Sequence, residues 1–239
     1  MVLGTAMEGR HDNDGLDAIS GEVIACRRCP RLVHWRERVA REKRRAFADE
    51  VYWGRPVPPF GDPQARLLVI GLAPAAHGGN RTGRMFTGDR SGEWLYRALH
   101  RAGFASQATA ISRDDGLVLH DCIITAAVRC VPPGNLPTRS EFARCQPFLE
   151  RELRLLKNLK VVVPLGKAAM DAFLRAWRAI GRDIPKPRPT FRHGQSWRLP
   201  AMTLLASYHP SQRNTSTGLL REDMFDAIFR TAQEILQRG

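Results

Sequence analysis

Five cysteines and one glycine-rich loop carry most of the chemistry open to this 239-residue chain. Cys26 and Cys29 form a C-x-x-C, and Cys130 and Cys145 form a second, wider pair. Four thiolates from two separate pairs suit a zinc ion or an iron–sulfur cluster, and the residues alone do not choose between them. The arginines of Cys26-Arg27-Arg28-Cys29 give the first pair a basic setting that favours thiolates. Cys122 stands apart in the apolar run Asp121 to Val128 and reads as an inert core thiol.

The glycine-rich loop runs from Gly71 to Asp89, GLAPAAHGGNRTGRMFTGD. It brings together His77, Asn80, Arg81, Arg84, Phe86 and Asp89: a base, an amide, two cations, an aromatic ring and a carboxylate. Loops of this length in compact domains are usually functional. Two shorter polar stretches accompany it. Cys130 to Pro137 carries Asn135, and Ser207 to Thr215 carries His209, Ser211 and Asn214.

The elements around these stretches alternate. Arg66 to Ile70 reads as a fully buried parallel strand. The loop after it ends at Ser91, a helix N-cap for the amphipathic run Glu93 to Leu99. Further strands are expected near 121–128, 160–165 and 202–207, with helices near 140–156, 167–180 and 222–236. Phe191 to Leu199 reads as a hairpin turning at His193-Gly194-Gln195. Short helices are expected over 15–25 and over 32–46, the latter with Trp35, Val39 and Ala40 on one side and Arg36 among the solvated arginines. Val51 to Pro63 is too proline-rich for a regular element. Strand–helix alternation predicts an α/β fold, a central, mainly parallel four-stranded sheet with helices on both faces. Residues 1–14 read as a flexible tail and 15–239 as one domain. In such a sheet ligands bind at the carboxyl ends of the strands. All three polar loops fall there, so Asp89, Phe86, Asn135 and His209 are expected to converge on one pocket.

The formal net charge is +13, from 37 Lys and Arg against 24 Asp and Glu. An arginine-rich excess fits a nucleic-acid partner, or an arginine-favouring genome. No segment has transmembrane length and the first residues lack an apolar signal core, so a cytoplasmic protein without disulfides is expected. No G-x-x-x-x-G-K-[ST] occurs, which argues against a nucleotide hydrolase built on a phosphate loop. A non-catalytic, metal-containing nucleic-acid-binding protein would share the cysteines and the charge. It would leave Asp89, Asn135 and His209 without a role.

The strings GLAPAAHGGNRTGRMFTGD, VRCVPPGNLPT with its four-cysteine set, and SYHPSQRNT together resemble the fifth family of uracil-DNA glycosylases, an iron–sulfur class of bacteria and archaea. The resemblance runs from about Cys26 to the last helix. It implies a three-layer α/β/α glycosylase fold and a [4Fe–4S] cluster on Cys26, Cys29, Cys130 and Cys145. It also implies base-excision repair of uracil, and of deaminated purines such as hypoxanthine, in double- or single-stranded DNA. A monomer, associated with the nucleoid through DNA, is the default for this class. The apolar Leu72-Ala73-Pro74-Ala75, where other glycosylases carry a polar residue, matches the fifth family. On this resemblance Asp89, Asn135 and His209 are the expected catalytic residues. Ala73, His77, Asn80, Phe86, Ser211 and Asn214 are the expected substrate contacts.

Breaking the bond between uracil and deoxyribose leaves a cationic sugar and an anionic base. Asp89 is suited to the cation or to a water, and His209 to the departing base oxygen. The Phe86 ring offers a stacking face and the Asn135 amide reads the base edge. Phe86 also fits a core role, and Asp89 a helix cap.

Overall fold

Leu67, Leu68, Val69 and Ile70 are all wholly buried, which requires a strand covered on both faces. They form β2 (Leu67–Gly71), the centre of a sheet described by a computed structural model over residues 15–238. The tail expected over residues 1–14 lies outside the described residues. β2 pairs in parallel with β3 (Cys122–Ala126) on one side and β4 (Val161–Pro164) on the other. β6 (Met202–Leu205) extends the parallel set beyond β4.

Two short antiparallel strands complete the sheet, in the order β1-β3-β2-β4-β6-β5. β1 (Phe60–Gly61) adds to β3 and β5 (Ser196–Leu199) to β6. The four-stranded parallel core matches the expectation, and the sheet has six strands. β1 is two residues inside the proline-rich stretch, and β5 is half solvated, so neither carries a continuous apolar signal. The expected hairpin is displaced for the same reason. Its arms are β5 and β6, joined at Pro200-Ala201, where Ala201 takes a left-handed φ of 70°.

Alternate strand residues face opposite layers. Leu67, Val69, Ile124 and Val163 pack with Leu95, Leu99, Phe225 and Phe229 of α4 (Arg90–Arg101) and α8 (Glu222–Arg238). Leu68, Ile70, Ile123 and Val162 pack with Leu149, Leu153, Phe173 and Trp177 of α5 (Arg139–Leu155) and α6 (Lys167–Ala179). This is the three-layer fold expected. α5 opens with a capping box, Thr138 and Glu141 each satisfying the other's backbone. α1 (Leu16–Ala25) adds Ile19 and Val23 to Phe148 of α5.

α2 (Pro30–Glu42) differs from its expected form. Pro30 occupies the first turn, where a missing N–H costs nothing, so the helix starts two residues early and ends before Lys43. Its buried stripe is Leu32, Val33, Arg36 and Val39, so Arg36 points inward with only 2% exposure.

Candidate active site

The strand order reverses between β2 and β4, and ligands in open α/β sheets sit at such a point, beyond the carboxyl ends. A cavity of about 320 Å³ lies there. The loop after β2 gives it Leu72, Ala73, Pro74, Ala75, Met85, Phe86 and Asp89, and the first turn of α4 gives Ser91. The loop after β3 gives Asn135, and the loop after β6 gives His209, Ser211 and Gln212. Small-molecule pockets begin at about this volume, with the same mixture of apolar wall and a few polar groups.

Two glycines create the space. A Cβ on Gly71 would stand 2.8 Å from the Phe86 ring, and one on Gly78 would stand 1.8 Å from an Asp89 carboxylate oxygen. Phe86 itself has a left-handed φ of 54°, a conformation that costs a non-glycine residue of order 1 kcal/mol or more. Surrounding bonds hold it there. The Tyr96 hydroxyl donates to the carbonyl of Met85 at 2.8 Å. The Arg84 guanidinium grips Asp115 through two bonds of 2.8 and 2.7 Å, and its Nε reaches Thr87 at 2.9 Å. Arg81 ties the loop ends, donating to His77 O at 2.7 Å and Gly88 O at 2.9 Å and pairing with Glu50. Arg81 and Arg84, exposed by 7% and 4%, brace the loop from within.

Asp89, not Ser91, caps α4, accepting from Gly92 N at 2.9 Å. Burial pushes its carboxyl above the usual range, while the Gly92 and Ser91 amides pull it down. The helix N-terminus favours the anion there. His209 sits across the cavity, its ring 5.7 Å from that of Phe86. Burial alone drives its pKa down to about 4, so the imidazole is neutral at physiological pH. Asn135 ends a short 3₁₀ turn, Pro133–Asn135, with a left-handed φ of 58°, and is exposed at the cavity mouth.

Cys26, Cys29, Cys130 and Cys145 line a second, smaller cavity between α1, α2 and the start of α5. Among the described residues no three His, Cys, Asp or Glu side chains close around a single-ion position. The thiols surround a gap instead. Arg36 lies against it. Its Nη1 donates to Cys130 Sγ at 3.0 Å and to Cys26 O at 3.2 Å, and its Nε has no partner. No carboxylate pairs with it among the described residues. Burial pushes the Cys130 thiol up to about 11, and the Arg36 guanidinium beside it pulls the other way, toward the thiolate that binds metal. Four thiols from two chain segments lining one cavity, with a cation against them, fit a thiolate-held metal centre.

Residues 58–233 match the Uracil DNA glycosylase superfamily. The chain belongs to that superfamily. A type-5 uracil-DNA glycosylase of Mycobacterium leprae is 51% identical over 91% of this chain and 94% of its own length. One from Thermus thermophilus is 49% identical over 92% of this chain and 97% of its own. A type-4 uracil-DNA glycosylase of Sulfurisphaera tokodaii is more distant, 28% identical over 64% of this chain and 56% of its own.

In this glycosylase the expected site residues separate into two groups. Asp89, Asn135, His209, Ala73, Phe86 and Ser211 all reach the cavity. His77, Asn80 and Asn214 do not line it. His77 bonds the Tyr52 hydroxyl through Nδ1 at 3.0 Å. Asn80 is buried and donates to Arg36 O at 3.2 Å, tying α3 (Gly79–Thr82) to α2. Asn214, in α7 (Gln212–Ser216), donates to His209 O at 2.8 Å and so fixes the histidine's loop from below. Met85, Ser91 and Gln212 also line the cavity.

The cysteine setting also differs in detail. Arg27 pairs with Glu37, while Arg28 lines the cysteine cavity with its guanidinium over the Phe148 ring. Arg36 donates to Cys130 Sγ at 3.0 Å, the Arg129 backbone amide to Cys145 Sγ at 3.3 Å, and the Arg144 guanidinium pulls the Cys29 thiol down against its burial. Arg36 was legible in principle, since its spacing from Leu32 and Val39 places it on the buried stripe of α2.

Proposed function

We propose that this glycosylase draws uracil out of DNA into the Asp89–Asn135–His209 cavity and hydrolyses its N-glycosidic bond. The observation that carries this is the meeting of a carboxylate, an amide, a neutral imidazole and a ring face, from three loops far apart in sequence, on one cavity of about 320 Å³. A base stacked inside a duplex cannot reach side chains recessed in such a cavity, so the target must leave the helix, at a cost of a few kcal/mol. Phe86 offers a face for stacking, and Asn135 at the mouth reads the base edge. His209, neutral, donates a hydrogen bond to the base oxygen as negative charge grows there. Neutral imidazole serves as an electrophile in just this way elsewhere. Asp89 across the cavity stabilises the sugar cation and orients water. The excess of 37 Lys and Arg over 24 Asp and Glu supplies sequence-independent phosphate contacts.

The cavity wall Leu72 to Ala75 makes few polar demands, and a site that does not insist on particular hydrogen bonds discriminates weakly. Hypoxanthine and other deaminated bases are therefore included as substrates. A [4Fe–4S] cluster is assigned to Cys26, Cys29, Cys130 and Cys145. When bound, it supplies a rigid cross-link. Arg36 and the four cysteines would tie α1 and α2 to the loop that presents Asn135.

Single-turnover excision of uracil and of hypoxanthine from matched duplexes tests this. Asn135→Ala should slow the two bases by different factors, because the amide reads the base edge. Equal slowing of both, or wild-type rates on both, would remove Asn135 from recognition. Failure of the unaltered protein to release uracil would overturn the function.

A further inference from the structure

The loop that carries His209 leaves the sheet at Ser207. There the ladder still holds, Ser207 N donating to Pro164 O at 3.2 Å and Ser207 O accepting from Gly166 N at 2.7 Å. One residue later no strand remains to receive the amide. Tyr208 N donates instead to Nδ1 of His193 at 3.0 Å. The same imidazole lies flat on the Tyr208 ring, with 4.9 Å between centroids and 6° between planes. Phe191 contacts that ring as well, at 5.9 Å. The turn holding His193 is itself fastened to the departing strand, Gly194 N donating to Ala206 O at 2.8 Å and Ala206 N to Gln195 O at 3.0 Å. His193 does not line the cavity.

We propose that His193 is a positioning residue for base excision, holding the backbone that presents His209. The proposal rests on the function assigned above. His209 is held from two sides. Asn214 takes its carbonyl at 2.8 Å, and His193 takes the amide of the residue before it. An accepting Nδ1 fixes the tautomer with its proton on Nε2, so the clamp requires the neutral ring. Burial keeps that ring neutral, lowering its pKa against an opposing pull from the Met224 backbone. The stack fixes the Tyr208 ring while the hydrogen bond fixes its backbone, so the two contacts together set the direction in which the next residue leaves. Displacing a preorganised group by about 1 Å can cost on the order of a hundredfold in rate.

Two substitutions separate the contacts. His193→Phe keeps a ring to stack on Tyr208 and removes the acceptor. His193→Asn removes the ring and leaves an amide oxygen close to where Nδ1 stood. Single-turnover excision from a uracil duplex should fall on the order of tenfold in His193→Phe, with affinity for an uncleavable duplex changed little. His193→Asn should recover most of that rate. Amide hydrogen exchange at Tyr208, measured without DNA, should quicken in His193→Phe and stay slow in His193→Asn. This readout needs no substrate, so it tests the clamp whichever base the enzyme excises. Unchanged Tyr208 exchange in His193→Phe overturns the proposal. So does a wild-type excision rate in that variant, or an Asn variant as impaired as the Phe variant. If His193→Phe fails to fold, exchange and excision in His193→Asn still decide: fast exchange with normal excision overturns the proposal, and slow exchange with normal excision supports it.

Discussion

His209→Ala tests how the leaving base is stabilised, and the structure sets both the size and the pH dependence of the effect. With its pKa pushed down to about 4, the imidazole is protonated in only about one molecule in a thousand at pH 7. Working as imidazolium would cost about 4 kcal/mol at that pH, three pH units at 1.36 kcal/mol each. Working as a neutral donor costs nothing. Losing one preorganised donor to a developing anion typically lowers the rate about 10²–10³-fold. The ratio of wild-type to His209→Ala single-turnover rates should therefore be of that size and flat between about pH 5.5 and 8, with little change in affinity for an uncleavable duplex. A ratio rising tenfold for each pH unit of acidification would make the imidazolium the active form. A ratio near one, or a loss confined to affinity, would make the histidine structural. Stability carries the same signature. The folded pKa lies below the unfolded one, so between about 6.5 and about 4 the unfolded chain binds more protons. The contribution is complete above about 6.5 and is lost as pH falls through that window, roughly 3 kcal/mol in all. Urea unfolding of the His209→Gln variant should show a shallower acid loss than wild type across that interval.

Three further outcomes are expected. Cys26→Ala and Cys145→Ala should lose iron, measured in the purified protein, and lower the melting temperature, whereas Cys122→Ala, buried within β3, should keep its iron; full iron in either of the first two refutes the cysteine assignment. The Arg129–Glu152 pair is wholly buried, with Thr125 also bonded to the carboxylate at 2.8 Å. Glu152→Gln or Arg129→Met should therefore cost about 3–5 kcal/mol in urea unfolding, and joint replacement by apolar residues less than either alone. Gly71→Ala would put a methyl group 2.8 Å from the Phe86 ring, so excision should fall about tenfold in a protein that still melts cooperatively; an unchanged rate would show that the ring is free to move.

The sheet's parallel core was legible because its strands are continuous apolar runs, and the helices because their apolar residues recur at helical spacing. The three polar loops were legible as one site because each follows a parallel strand, and the carboxyl ends of such strands lie on one edge. Residue types supplied the chemistry: four thiols in two pairs, and an acid, an amide and a base. Chain order left undetermined which loop side chains face inward. Within Gly71 to Asp89, Phe86 and Asp89 reach the cavity while Arg81, Arg84 and Asn80 turn into the protein, and the same polar letters stand for both. That division depends on where Gly71 and Gly78 leave room and on distant partners such as Glu50 and Asp115. His193 and Arg36 make the same point. Each acts through a contact with a residue 15 or 94 positions away, a tyrosine amide and a cysteine sulfur. Periodicity reports the local chain, and only the closed tertiary structure decides which distant group a buried polar side chain must satisfy.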